Sequence, residues 1–312
     1  MNVGGMLLEK NKLLEKNCLY ICFADSNIGV GHLFRSQILA KSLKKYGWTN
    51  FLFGPNITQK KSIKKKLFKN IVYLKSIDKT KLLKELNKNI FNIIEKNKIN
   101  LIIIDSYLIK NNFQKKIRDK LIFKINNKKT NNKYCDLVLD YSFNLKTIKN
   151  NPKYLIGPKF CLLENKIIKT KVNKNKKVLI TFGGSNLLPQ VKKTIQVLKK
   201  VLPDYKVYVS TPSLDFYKIL RNKLIDVEIV LSSSLSKLLN SYKFKFIISS
   251  AGHSLYELIF NNYPSIFVGI SKNQFKNINY LKKKGGAKVL LYKKHLFKEE
   301  LTAFLEQYKQ NK

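Results

Sequence analysis

The sequence predicts an α/β protein of two Rossmann-like domains facing a cleft, each built on a mostly parallel sheet. Three observations carry that prediction. Short apolar runs recur without polar alternation, as strands buried on both faces require. Each is followed by a turn of glycine or small residues and then by helical spacing. The same order then restarts near residue 176. At 312 residues the chain has room for two cores of ordinary size.

The elements follow in order. "CLYICFA" (18–24) reads as a buried strand ending at Asp25. After a glycine turn, Leu33 to Tyr46 places Leu39, Leu43 and Tyr46 on one helical face, and Gly47 closes it as a C-cap. "NFLFG" (50–54) is the next strand. A lysine-rich helix over roughly 78–97 leads into "NLIIIDSY" (100–107), a strand ending in polar groups. "YCDLVLDYS" (134–142) and "KYLIGP" (153–158) complete the first alternation. The second opens on "KKVLITFGGSN" (176–186), with Pro189 starting a helix through Lys200. "YKVYVS", "FKFIISSAGHSLYELIF" (244–260) and "PSIFVGI" (264–270) continue it. The expected divisions are an extension over 1–17, a first domain over 18–160, a linker over 161–176, a second domain over 177–297 and a terminal helix over 298–312.

Composition narrows the function classes. Lys and Arg number 61 against 19 Asp and Glu, a formal charge of +42. Only three of those cations are Arg, and lysine is spread along every segment together with Asn and Ile. A nucleic-acid reader favours Arg and gathers charge into a stripe. The charge therefore reads as compositional bias, with no specific nucleic-acid partner, although such a field draws in an anionic substrate. Cys18, Cys22, Cys135 and Cys161 have neither CxxC spacing nor accompanying histidines, so free thiols are expected and no metal site or cofactor. No apolar run is long enough to span a membrane, and a cytoplasmic monomer or weak dimer is the expectation.

The glycine turns carry the chemistry. In "SNIGVGHLFRSQ" (26–37), Gly29 and Gly31 allow a sharp turn and close approach to a ligand. His32 and Arg35 follow, three apart on one face of the first helical turn. A cation there opposes the helix dipole, so Arg35 asks for an anion nearby. "FGGSN" (182–186) offers Gly183, Gly184 and Ser185, as a phosphate or sugar cradle or as a plain strand-to-helix turn. In "SSAGHSLYEL" (249–258), Gly252 permits close approach, His253 and Ser254 stand at the helix start, and Ser254 can cap it. Glu257 can accept two ribose hydroxyls, or serve as the N3 glutamate of a capping box. Asn273 and Gln274, in "SKNQ", stand at the same edge.

The ordered set "IGVGHLFRSQILAKSL", "LIIIDSY", "CDLVLDYS", "YLIGPKFCLL", "VLITFGGSN", "SAGHSLYELIFNNYPSI" and "KNQ" resembles the UDP-2,4-diacetamido-2,4,6-trideoxy-β-L-altropyranose hydrolases of pseudaminic acid biosynthesis. That family is similar to nucleotide-sugar glycosyltransferases of the two-domain GT-B fold, the family-28-like branch included. The resemblance spans about residues 19–290. It implies that His32 is the general base for water, that Tyr107 lines the sugar site and that Asn273 lies near the reacting sugar. It also implies that Glu257 holds the uridine ribose, with Gly183, Gly184, Gly252 and His253 around the diphosphate. The departures, Phe23 where the family has arginine and Ser106 where histidine is common, lie in the N-terminal half and bear on the sugar. The implied reaction is metal-independent hydrolysis of a UDP-sugar with inversion. A GT-B glycosyltransferase and a non-enzymatic polyanion-binding protein are the competing expectations.

Overall fold

The computed structural model describes residues 15–25, 30–75, 89–106, 108–109, 111–125, 132–143, 153–164, 175–184, 187–232, 234–285, 287–293 and 296–310. The chain divides into two compact units, Met1–Tyr141 with Leu145–Leu162, and Ser142–Asn144 with Leu163–Lys312.

In the first unit β1 (Asn17–Ala24), α1 (Gly31–Lys45), β2 (Thr49–Asn56) and β3 (Asn70–Leu74) are followed by helical residues 89–96 (α2). Then come β4 (Leu101–Asp105), α3 (Asn111–Lys116), β5 (Leu121–Ile125), β6 (Leu137–Asp140) and β7 (Tyr154–Ile156). The described strands form one sheet in the order β3-β2-β1-β4-β5-β6-β7, and every pairing is parallel. Leu19, Ile21, Phe23, Ile102, Ile104 and Ile122 build the core on one face. Burying one such side chain fully contributes about 1.5–3 kcal/mol.

The second unit repeats the plan with β8 (Lys177–Thr181), α4 (Leu188–Val201), β9 (Lys206–Thr211), α5 (Leu214–Lys223) and β10 (Glu228–Leu231). It continues through α6 (Leu235–Tyr242), β11 (Phe246–Ser250), α7 (His253–Phe260), β12 (Ser265–Gly269), α8 (Phe275–Lys284), β13 (Lys288–Leu291) and α9 (Phe297–Gln310). Its order is β10-β9-β8-β11-β12-β13, again all parallel. In each unit the first strand pairs with the second on one side and with a later strand on the other, β1 with β2 and β4 and β8 with β9 and β11, so the restart seen in the sequence is a restart of topology. The terminal helix is no appendage: Phe297, Leu301 and Leu305 of α9 are fully buried in the second core.

Two local expectations are corrected. Ser254 does not cap α7, because the helix begins at His253 and its N-cap is Gly252, two residues before the serine, with no side-chain cap hydrogen bond. Glu257 therefore stands five residues into the helix, too deep for the reciprocal bond of a capping box. The helix expected over 78–97 is seen only at 89–96, since 76–88 lie outside the described residues.

Candidate functional site

The site of the first unit is built at the carboxyl ends of β1 and β4. Parallel register places Asp105 beside Cys22, and α1 starts from the loop after β1. His32 and Arg35 project from the first turn of α1, and both are buried. His32 Nδ1 lies 2.6 Å from Asp105 Oδ1. Arg35 donates from Nε to Asp105 Oδ2 at 2.9 Å and from Nη2 to Oδ1 at 2.7 Å. Its other terminal nitrogen donates to the Tyr141 hydroxyl. Asp105 is thus the anion that Arg35's position calls for.

The proton on His32 follows from these contacts. A bare Nδ1 lone pair facing a carboxylate oxygen at 2.6 Å would be repelled, so Nδ1 carries the hydrogen. The 2.9 Å approach of Arg35 Nη2 to Nδ1 is then two donors converging on one oxygen. Nε2 is left as the basic nitrogen. Burial alone would raise the Asp105 carboxyl, but the Arg35 guanidinium and then His32 outweigh it and hold it at about 2. Asp105 stays an anion throughout the working range.

Gly31 has a separate property. A Cβ there would meet nothing within 4 Å, and its φ is not positive. Neither packing nor backbone geometry asks for glycine. Gly29 and Tyr107 lie outside the described residues.

The second unit gathers its predicted residues at the carboxyl ends of β8, β11 and β12. Gly183 has φ +90°, a conformation that favours glycine, and its carbonyl accepts from Thr211 Oγ1 at 3.2 Å. Gly184 is buried beside it, and Ser185 lies outside the described residues. Gln274 Oε1 accepts from Ile270 N at 3.0 Å, which turns its Nε2 to within 3.5 Å of where a Gly252 Cβ would stand. Asn277 Nδ2 donates to Ala251 O at 3.0 Å and pins the turn from below. Asn273 lies in the 3-10 turn Lys272–Gln274. His253 and Ser254 open α7, which has neither a side-chain cap nor an acidic residue in its first turn. Its amino-terminal N–H groups suit an anion. By contrast α5 and α6 are capped by Ser213 and Ser234.

Glu257, partly buried on α7, is pushed up to about 8, first by burial and then by the Glu164 carboxylate. Glu164 accepts from Ser234 Oγ at 3.2 Å. Glu164, Asp105 and Tyr141 were not picked out from sequence. An acid closing the apolar run "LIIID", opposite an arginine short of an anion, was the signal for Asp105. Among the described residues no group of three or more His, Cys, Asp or Glu is placed to hold a metal ion. None of the four cysteines is in a disulfide.

Comparison with solved structures decides the architecture. MurG of Acinetobacter baumannii matches with a TM-score of 0.58 at 14% identity, over 95% of this chain and 90% of that one. The spinosyn rhamnosyltransferase SpnG in complex with thymidine diphosphate matches at 0.66 and 10%, over 95% and 91%. The calicheamicin glycosyltransferase CalG4 matches at 0.60 and 11%, over 95% and 90%. The fold is GT-B. No family model matches the chain. In sequence the chain is 29% identical over 264 residues to the uncharacterized protein MJ1062 of Methanocaldococcus jannaschii, covering 77% of this chain and 52% of that protein. It spans about half the length of that relative. No described helix of this GT-B chain is long and apolar enough to cross a membrane.

Proposed function

We propose that the chain hydrolyses a UDP-linked deoxy-acetamido sugar at its anomeric carbon, releasing UDP and the free sugar for nonulosonic (pseudaminic) acid biosynthesis. The observation that carries this reading is His32, buried and oriented through Nδ1 by Asp105 at 2.6 Å, with Nε2 left to take a proton. In the proposed step a water attacks the anomeric carbon opposite UDP, its proton passes to His32 Nε2, and the C–O bond to the diphosphate breaks. The uncapped start of α7, with Gly252, Gly183 and Gln274 Nε2, meets the charge on the departing diphosphate. Glu257 takes the ribose hydroxyls. These residues stabilise the leaving group by amides and a helix dipole, so the reaction is written without a metal. The resemblance of the motifs to the UDP-sugar hydrolases supports the choice of substrate, and the GT-B fold agrees with it.

A glycosyltransferase with a UDP-sugar donor is the second reading, favoured by what MurG, SpnG and CalG4 share in fold. Incubation with a panel of UDP-sugars, with and without acceptors, separates the two. Hydrolysis gives full UDP release with no acceptor, undiminished by chelator, and a first-formed sugar of inverted anomeric configuration by NMR. Release that waits for an acceptor makes the chain a transferase. Loss in chelator, restored by magnesium, sinks the amide account.

A further inference from the structure

Tyr141, which accepts from Arg35, stands where the sheet stops holding the chain. β6 ends at Asp140, paired with Ile156 of β7, and the Asp140 carbonyl accepts from Gly157 N at 2.8 Å. Tyr141 is the next residue. It is 2% exposed, its hydroxyl accepts from an Arg35 terminal nitrogen, and its ring centroid lies 5.5 Å from the Arg35 guanidinium carbon. After Tyr141 the chain passes from the first compact unit to the second, to which Ser142–Asn144 belong. There the Phe143 ring stacks on two tyrosines of that unit. Its centroid is 5.3 Å from that of Tyr256 in α7, at an interplanar angle of 15°, and 4.8 Å from that of Tyr280 in α8, at 17°. Offset aromatic stacks are favourable at such distances. Tyr256 is itself fixed, since its hydroxyl donates to Oδ1 of the buried Asn277 at 3.1 Å.

We propose that Phe143 is a positioning residue for the reaction: its ring, stacked on Tyr256 and Tyr280, anchors the segment that presents the Tyr141 hydroxyl to Arg35, and through Arg35 it sets Asp105 and His32. This role rests on the proposed reading of His32 as the base. Two peptide bonds span at most about 7 Å between Cα atoms, so a ring anchored at 143 leaves Tyr141 little freedom. Arg35 carries its donors in a rigid planar fork. Nε and Nη2 reach Asp105, and the remaining nitrogen reaches Tyr141. A shift of the Tyr141 hydroxyl therefore turns the plane that the other two bonds share. The Asp105 oxygen that Nη2 holds is the same one that orients His32 Nδ1, so the imidazole turns with it. Small misplacements of this kind are costly to a reaction that needs its base aimed at one water.

The first test needs no substrate. In the full chain labelled with ¹⁵N-histidine, the proton on His32 Nδ1, held toward Asp105 at 2.6 Å, should give a downfield ¹H resonance that is absent in His32→Asn. That resonance should broaden or move upfield in Phe143→Ala and in Tyr280→Ala, and persist in Phe143→Tyr, which keeps a ring that stacks. Tyr280 is only half-buried, so its variant keeps the test open if Phe143→Ala does not fold. With a UDP-sugar, both alanine variants should lose kcat, by up to about 10²-fold, while UDP affinity by calorimetry holds. Tyr141→Phe should lower kcat too, and Phe143→Ala added to it should cost nothing more, because both act through one hydroxyl. An unmoved resonance and kcat, with only Tm lowered, overturn the proposal and make Phe143 a packing residue. So does a loss of kcat that multiplies with that of Tyr141→Phe. A wild-type chain that releases UDP from no UDP-sugar strikes the proposed reaction instead, and the His32 resonance still decides what Phe143 does.

Discussion

A histidine base needs its far nitrogen fixed, and Asp105 does that while it also balances Arg35. The two duties can be separated by substitution. His32→Asn removes the base and leaves the Arg35–Asp105 pair, so turnover should fall by about 10²–10⁴-fold with little loss of stability. Asp105→Asn leaves Arg35 buried without its counter-charge and should cost about 3–5 kcal/mol in denaturant unfolding, besides slowing UDP release. Equal stability losses in the two variants would refute the separation. Since the Asp105 carboxyl is held at about 2, below its ordinary value, its contribution is present above that ordinary value and is lost as pH falls toward 2. Glu257 has the opposite sign. Raised to about 8, it binds a proton in the folded chain that the unfolded chain has released, so it lowers stability as pH rises from its ordinary value to 8. At pH 7 few molecules carry the carboxylate that ribose hydroxyls require. UDP affinity should therefore rise about tenfold between pH 7 and pH 9, in proportion to the competent fraction. Glu257→Gln should flatten that rise, and Glu257→Ala should weaken UDP by roughly 1.5–3 kcal/mol. Calorimetric titration reads both, and a flat profile in the wild-type chain would take Glu257 out of the nucleotide site.

Helix starts divide the elements into two sets. α5 and α6 begin on serine caps, whereas α1, α4 and α7, which follow the glycine turns, begin without side-chain caps. At α1 the glycine itself is unexplained by packing. Gly31→Ala places a methyl in open space at a helical backbone position, which should stabilise the fold by about 0.4–1 kcal/mol. If that space receives substrate, kcat/KM should fall in the same variant. Unchanged kinetics with higher Tm would leave Gly31 without a functional role. The sheet plan was legible because strands buried on both faces read as unbroken apolar runs. β3, β5, β10 and β13 were not picked out, and their composition says why. Lys124 interrupts the run in β5, while β10 and β13, at the sheet edges, expose Glu228 and Lys288. In the candidate site, His32 and Glu257 stood out in the sequence because scarce or charged residues lay beside glycines. Asp105 did not, because its role exists only through the register that sets β4 against β1, some 70 residues away. Ser254 was misread as a cap because the turn of Gly252 starts the helix two residues sooner than the serine suggests.

Charge acts on the molecule as a whole. Ion pairs at the surface, Lys98–Glu15, Lys176–Asp204 and Lys199–Asp226 at 2.9 Å and Lys206–Glu228 at 3.0 Å, engage a few of the acids. Exposed pairs of this kind contribute about 0–1 kcal/mol each. The excess of 61 cations over 19 anions leaves +42 that no internal pairing can cancel. Salt therefore has two opposed effects on stability: it weakens the pairs, and it screens the repulsion among the surplus lysines. With so large an imbalance the second wins, so Tm should rise as sodium chloride goes from about 0.1 M to 1 M, where the screening length shrinks from ~10 Å to ~3 Å. The same screening weakens the attraction of an anionic UDP-sugar. KM should rise several-fold over that range, with kcat unchanged because His32 and Asp105, proposed as base and orienting acid, are buried from the ions. Thermal unfolding and UDP-release kinetics in matched salt series measure both. A falling Tm would mean that the surface pairs outweigh the repulsion, and a salt-independent KM would mean that the lysine field plays no part in drawing substrate in.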